Sequence, residues 1–368
     1  MDPYTNRQQK ACELLREAGF DKAIIGDPMS IMYLTGAHVI PYERFYGLIL
    51  DAKGGVADMV NPSLDVGCAK GSVPEHTYAD EDGPLATLKE LIAPGETVAV
   101  EVNYFSMARG YMFEELGVTV RNIGDCLAKL RMHKDEAELE NMRFADHIVD
   151  DALTYVSDKI TVGMTEKELY NMLYNRMLTF PGFCTDEVVI LALAGAHSAN
   201  CHGVSGDYKI QQGDVILIDF CAYYNYYWSD ITRCFFLGEP NQPKLKEIYE
   251  IVRTANETAI AAVKPGMHAK DIDKAARDVI AQAGYGEFFL HRTGHGLGLS
   301  VHEEPYITSV NDIVLEEGMT FTIEPGIYLE GIGGIRIEDD ILVTHDGCEV
   351  LTRKTPKTIE STAWQAAE

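Results

Sequence analysis

Ile210-Gln-Gln-Gly-Asp-Val-Ile-Leu-Ile-Asp219 and Leu315-Glu-Glu-Gly-Met-Thr-Phe-Thr-Ile-Glu324 follow one pattern: a turn, a short β-rich run, then an acid. A carboxylate closing a buried apolar strand is costly unless something cationic meets it. Two such strands therefore ask for a shared cation, and a metal ion is the simplest one. The repeat extends upstream of both strands. A long helix ends at Thr161-Val-Gly-Met164, and a second begins at Thr165, where Thr165 and Glu168 make a capping box. The helical run 245–263 leads in the same way into Lys264-Pro-Gly-Met267 and another helix that reaches Ala283 and stops at Gly284. Each half reads helix, helix, strands. Two copies of one α+β unit, related by an approximate twofold, bring their strand ends together at the centre.

Around this core the chain has 368 residues, long for a single hydrophobic core, and its length suggests two domains. Residues 1–130 alternate helical spacing (7–18) with short apolar strands (23–25, 46–51, 96–102), the pattern of a small α/β domain. The charged stretch Arg131-Met-His-Lys-Asp-Glu-Ala-Glu-Leu-Glu140 then passes into a helix with Leu139, Met142, Ile148, Val149, Ala152, Leu153 and Val156 on one face, so the second domain is 131–368. A hydrophobic content of 46% fits a soluble globular chain, and a net charge of −26 argues against nucleic acid or an anionic membrane as partner. The eight cysteines are scattered with no Cys-x-x-Cys spacing, as expected of free thiols in a reducing cytoplasm. Neither a leader nor a membrane-spanning run is expected.

Five residues carry the chemistry: Asp219, Asp230, His295, Glu324 and Glu338. Asp219 ends the strand 215–220, a Tyr- and Asn-rich connection follows, and Asp230 opens the return strand 231–237, so the two acids are expected to face one another. In Gly334-Ile-Arg-Ile-Glu338, read as the last strand, alternation sets Arg336 and Glu338 on one face and Ile335 and Ile337 on the other. His295 sits in His291-Arg-Thr-Gly-His-Gly-Leu-Gly298, where the glycines exclude a helix and make it a loop histidine. A shell of carboxylates and one imidazole suits manganese, cobalt, iron or zinc rather than a thiolate-bound structural zinc. Four negative charges exceed the need of one divalent ion, which points to two ions about 3.5–4 Å apart. There is no His-Glu-x-x-His pair, nucleophile elbow, dinucleotide fingerprint or phosphate loop.

Ser229-Asp-Ile-Thr-Arg233, Gly294-His-Gly-Leu-Gly298, Ile323-Glu-Pro-Gly326 and Gly334-Ile-Arg-Ile-Glu-Asp339 together resemble the proline-peptidase branch of the superfamily that includes methionine aminopeptidase, prolidase and creatinase. The resemblance runs through the whole chain. It implies a pita-bread catalytic domain with an internal pseudo-twofold, preceded by a smaller α/β creatinase-like domain. It also implies that the five residues above are metal ligands, with Asp230 and Glu338 bridging two divalent ions, manganese foremost. His202, His291, His302 and Arg336 match positions of the Xaa-Pro-specific branch, and Arg292 matches one associated with a dipeptide's carboxylate. The implied reaction is hydrolysis of Xaa-Pro dipeptides by a metal-bridging hydroxide. Glu324 is then the general base, and His202 and His302 stabilise the oxyanion or the leaving nitrogen. The implied assembly is a cytoplasmic homodimer. An Xaa-Pro aminopeptidase acting on longer peptides, or a metal-retaining lyase or binding protein, is the alternative. Cys201, Cys221 and His197 depart from the family pattern.

Overall fold

The computed structural model describes residues 3–352 and 354–357. Its chain divides into two compact units, Met1–Arg131 and Met132–Glu368. The first contains α1 (Pro3–Glu17), β1 (Lys22–Ile25), α2 (Pro28–Thr35), β2 (Gly47–Asp51), β3 (Val56–Pro62), β4 (Glu75–Tyr78), α3 (Leu85–Leu91), β5 (Thr97–Val100), α4 (Met107–Glu114), β6 (Thr119–Asn122) and α5 (Cys126–Met132). Its strands form one mixed sheet in the order β4-β3-β2-β1-β5-β6. Ile24, Ile49, Val60, Val98 and Val100 pack from the sheet against Leu88 and Phe113 of the helices.

The second unit shows the repeat. α6 (Glu136–Ser157) and α7 (Glu166–Met177) precede β7 (Ile190–Ala194), β8 (Val215–Tyr224) and β9 (Tyr227–Phe236). α8 (Pro243–Ala262) and α9 (Ala269–Gln282) then precede β10 (Gly294–Gly296), β11 (Glu303–Ile307), β12 (Thr320–Ile323), β13 (Gly326–Leu329), β14 (Gly333–Arg336), β15 (Asp339–Val343) and β16 (Cys348–Val350). The strands pair as β7-β8-β9, β11-β10-β12-β15-β16 and β13-β14.

The two helix junctions are built alike. Gly163 and Gly266, at φ 91° and 88°, turn the chain in the left-handed region that suits glycine. Gly163 N donates to Ile210 O at 2.8 Å and Gly266 N to Leu315 O at 2.9 Å, while Ile210 N donates to Met164 O at 2.8 Å and Leu315 N to Met267 O at 2.7 Å. The capping box is present: Thr165 N donates to Glu168 Oε2 at 2.7 Å, and Glu168 N donates to Thr165 Oγ1 at 3.2 Å. Each helix pair buries its apolar face on its own strands. Val149, Leu153, Leu169 and Leu173 lie against Ile216, Ile218 and Ile231, and Ile248, Val252, Ile272 and Ala276 lie against Phe321, Ile335 and Ile341.

Three local expectations are corrected. Asp219 does not end its strand, because β8 and β9 are ten residues each, joined only by Asn225 and Tyr226. Both turn residues have positive φ, 46° and 68°, which matches the right-handed twist of a two-residue hairpin. The Tyr-rich connection is strand, since Tyr223, Tyr224, Tyr227 and Trp228 suit a pleated surface. Asp219 therefore pairs with Thr232, and Asp230 with Cys221, so the two acids are diagonal neighbours on one face rather than opposite each other. His295 lies on a strand, β10, between β11 and β12. The glycines beside it serve neighbouring backbone: a Cβ on Gly294 would meet Thr322 O at 1.8 Å, and one on Gly296 would meet Glu304 O at 2.3 Å. Finally, the Glu338 strand is not the last. β14 ends at Arg336, Glu338 makes an isolated bridge to Thr232, and β15 and β16 follow.

Candidate metal centre and active site

The hairpin β8-β9 supplies Asp219 and Asp230. Asp230 N donates to Asp340 Oδ2 at 2.8 Å, which fixes the backbone under the ligand. Its own Oδ1 is buried with no hydrogen-bond partner. His295 N donates to Thr322 Oγ1 at 3.2 Å, and the ring Nδ1 lies 3.1 Å from Gly296 O. A carbonyl only accepts, so Nδ1 carries the proton and Nε2 keeps a free lone pair. That lone pair faces Glu324 Oε1 at 3.4 Å and Asp230 Oδ2 at 3.9 Å. Burial, with the neighbouring His302, holds His295 well below the usual imidazole range. Glu338 enters from the crossing between β14 and β15, and Thr232 Oγ1 donates to its Oε2 at 2.6 Å. Ligand atoms of Asp230, His295 and Glu338 all lie within 4.8 Å of one another.

Asp219 and Glu324 stand beside this triplet. Arg336 is buried and pairs with Asp219 Oδ2, while donating from Nη1 to Tyr328 Oη at 2.6 Å and from Nε to Thr232 Oγ1 at 3.2 Å. Arg336 is thus occupied within the wall of the site. Glu324, just past β12, donates from its N to Thr293 O at 2.7 Å, and its Oε1 accepts from Thr322 Oγ1 at 3.3 Å. Burial pushes its carboxyl up to about 7, against the lowering pull of Arg336. His291 donates from Nδ1 to Arg292 O and accepts at Nε2 from Tyr328 Oη, both at 2.8 Å. Burial, then the Arg336 charge, brings His291 down to about 4, so it is neutral at physiological pH.

His202 and His302 are exposed at the rim. The His302 ring stands edge-on to His295, with centroids 4.2 Å apart at 76°. Arg292 lies over the Tyr306 ring at 4.6 Å. All ten residues singled out from the sequence line one cleft of about 210 Å³, together with Cys201, Cys221, Val189, Leu191 and Val301. Two contributors were missed by the sequence reading. Thr232 was legible, because alternation from Asp230 places it on the ligand face. Tyr328 was not, because only the β13-β14 pairing, with Gly326 opposite Arg336, brings it to Arg336 and His291.

The residues fit a divalent cation. Burial foremost, then the charges of Asp219 and Glu324 on Asp230 and of Asp230 on Glu338, pushes both carboxyls well above the usual carboxylate range. Such carboxylates need a cation to ionise, and Arg336 is committed to Asp219. Oxygen donors plus one neutral imidazole Nε2 are hard-to-borderline ligands.

Residues 140–345 match Metallopeptidase family M24, and residues 7–133 match the Creatinase/Prolidase N-terminal domain. The chain belongs to metallopeptidase family M24. Its fold is accordingly the pita-bread fold of that family, behind a creatinase-type N-terminal domain. Among curated relatives of this M24 chain, an Xaa-Pro dipeptidase of Pyrococcus furiosus is 36% identical, covering 94% of this chain and 97% of that one. Among solved structures, a dipeptidase from Pyrococcus horikoshii OT3 superposes with a TM-score of 0.89 at 37% identity, covering 95% of this chain and 99% of that one. An X-Pro aminopeptidase from Thermotoga maritima MSB8 follows at 0.83 and 34%, with 96% and 98% covered. No helix among the described residues is long and apolar enough to cross a membrane.

Proposed function

We propose that this M24 member hydrolyses the Xaa-Pro bond of dipeptides, with Asp219, Asp230, His295, Glu324 and Glu338 holding two divalent ions, manganese foremost. The observation that carries this reading is the single cleft of about 210 Å³ that unites the acidic donors with His202, His291, Arg292, His302 and Arg336. When bound, the ions supply Lewis-acid polarisation and an activated water. Glu324 takes a proton from the attacking water and returns it to the proline nitrogen. His302 and His202, at the rim, stabilise charge growing on the carbonyl oxygen or the departing nitrogen. Arg292 pairs with the substrate's terminal carboxylate. The chain Arg336–Tyr328–His291 orders the proline side, and burial, then the Arg336 charge, keeps His291 neutral.

Ala-Pro, Ala-Pro-Ala and a proline-free peptide, assayed with manganese and with chelator, test the reading. Cleavage of Ala-Pro that requires metal and exceeds cleavage of the others supports a dipeptidase. Preference for Ala-Pro-Ala would instead make it an aminopeptidase, and cleavage of none would point to a lyase or a binding protein.

A further inference from the structure

Behind the cleft lies a buried polar layer that the proposed reaction does not use. Lys357 Nζ pairs with Asp339 Oδ2 at 2.5 Å and donates to Asn256 Oδ1 at 2.8 Å. Asn256, fully buried on α8, donates from Nδ2 to Ile323 O at 2.9 Å and Ile337 O at 3.3 Å. Those two residues immediately precede Glu324 and Glu338. On the other side of Asp339, Arg233 donates from Nη2 to Asp339 Oδ1 at 2.8 Å. Its Nη1 reaches Glu338 O at 2.5 Å and Thr232 O at 3.0 Å, and its Nη2 reaches Thr352 O at 3.1 Å. One connected network therefore runs from Thr352 and Lys357 to the backbone beneath Glu324 and Glu338.

Stability alone is a poor reason for such a network. Arg233, Asp339 and Asn256 have no exposed surface, and burying ion pairs is often no better for stability than well-packed apolar side chains. What the network does supply is geometry. Asn256 ties the backbone at Glu324 to the backbone at Glu338, and the two cations flank Asp339 directly after Glu338. Groups that orient metal ligands from behind are typically worth about 10–100-fold in metal affinity. We propose that Lys357, Asn256, Asp339 and Arg233 are positioning residues of the metal centre, setting the spacing of Glu324 and Glu338, so that Thr352 and Lys357 are part of the metal site's support.

This inference rests on the reading of Glu324 and Glu338 as ligands, and its test separates the two. Manganese affinity of the full chain is measured by the electron paramagnetic resonance of free Mn²⁺, alongside the melting temperature of the metal-free protein. The variants are Lys357→Met, Lys357→Arg, Asn256→Asp, which keeps the Lys357 partner but removes both donors, and Leu169→Ala, which opens the other core. Lys357→Met and Asn256→Asp are expected to lose at least about tenfold in affinity. Lys357→Arg should recover most of the loss, and Leu169→Ala should melt lower yet bind within about twofold of wild type. Affinity within about twofold of wild type in folded Asn256→Asp and Lys357→Met, or an equal loss in Leu169→Ala, overturns the positioning role. A wild-type chain that binds no Mn²⁺ overturns the ligand reading itself.

Discussion

His295 and Glu324 divide two tasks that a single residue type cannot perform. The imidazole proton is committed to Gly296 O, which leaves Nε2 free to act as a ligand. Glu324 sits 3.4 Å away and is the carboxylate placed to take a proton from water and return it. Glu324→Gln keeps the shape and the Thr322 contact but removes the exchangeable proton. Its circular dichroism spectrum is expected to match wild type while kcat on Ala-Pro falls by about 10²-fold or more; near-normal kcat would remove Glu324 from the proton path. The sequence could reveal Asp219 and Glu324 because each follows directly on an apolar β-rich run. It could not reveal that Arg336 is spent on Asp219, Tyr328 and Thr232, since that depends on four strands meeting.

At the scale of elements, β10 is a three-residue strand whose position is set by the absence of side chains. Gly294→Ala forces a Cβ to within 1.8 Å of Thr322 O, so β10 must move off β12 and carry His295 with it. The expected outcome is a loss at the upper end of the about 1–3 kcal/mol typical of overpacking, seen as a lower melting temperature. Manganese affinity should weaken in parallel. Melting and affinity equal to wild type would show that β10 does not set the histidine. The glycines around His295 were legible as exclusion of a helix, but glycine equally signals a loop or a strand in close contact, and only the neighbouring carbonyls decide. The β8-β9 hairpin was likewise half-legible. Its apolar first half reads as strand, whereas a turn of Asn225 and Tyr226 lacks the glycine that usually marks one. The helix pairs were read nearly in full because Gly163, Gly266 and the Thr165–Glu168 box are local signals.

Across the whole molecule, the duplicated helix–helix–strand unit brings buried acids together, and an excess of like charge is the result. Without metal, Glu324 is raised to about 7 and Asp146, buried on α6 beside Asp340, to about 8, and Asp230, Glu338 and Asp340 lie well above the usual range. Burial is the first cause in each. The folded chain then binds more protons than the unfolded chain between pH 6.5 and 8, so metal-free stability falls as pH rises through that window. Cations binding only the folded state reverse the trend. The rise in melting temperature on adding saturating Mn²⁺ is expected to be larger at pH 8 than at pH 6.5, by calorimetry; a smaller rise at pH 8 would mean that the cluster is not where the metal binds. The same linkage frames the most direct measurement. Metal-stripped protein is titrated with Mn²⁺ while proline release from Ala-Pro is followed. No release is expected from the stripped chain, and the rate should rise to a plateau at about two equivalents per chain. Undiminished release after stripping, or none at any Mn²⁺ concentration, would contradict the proposed function.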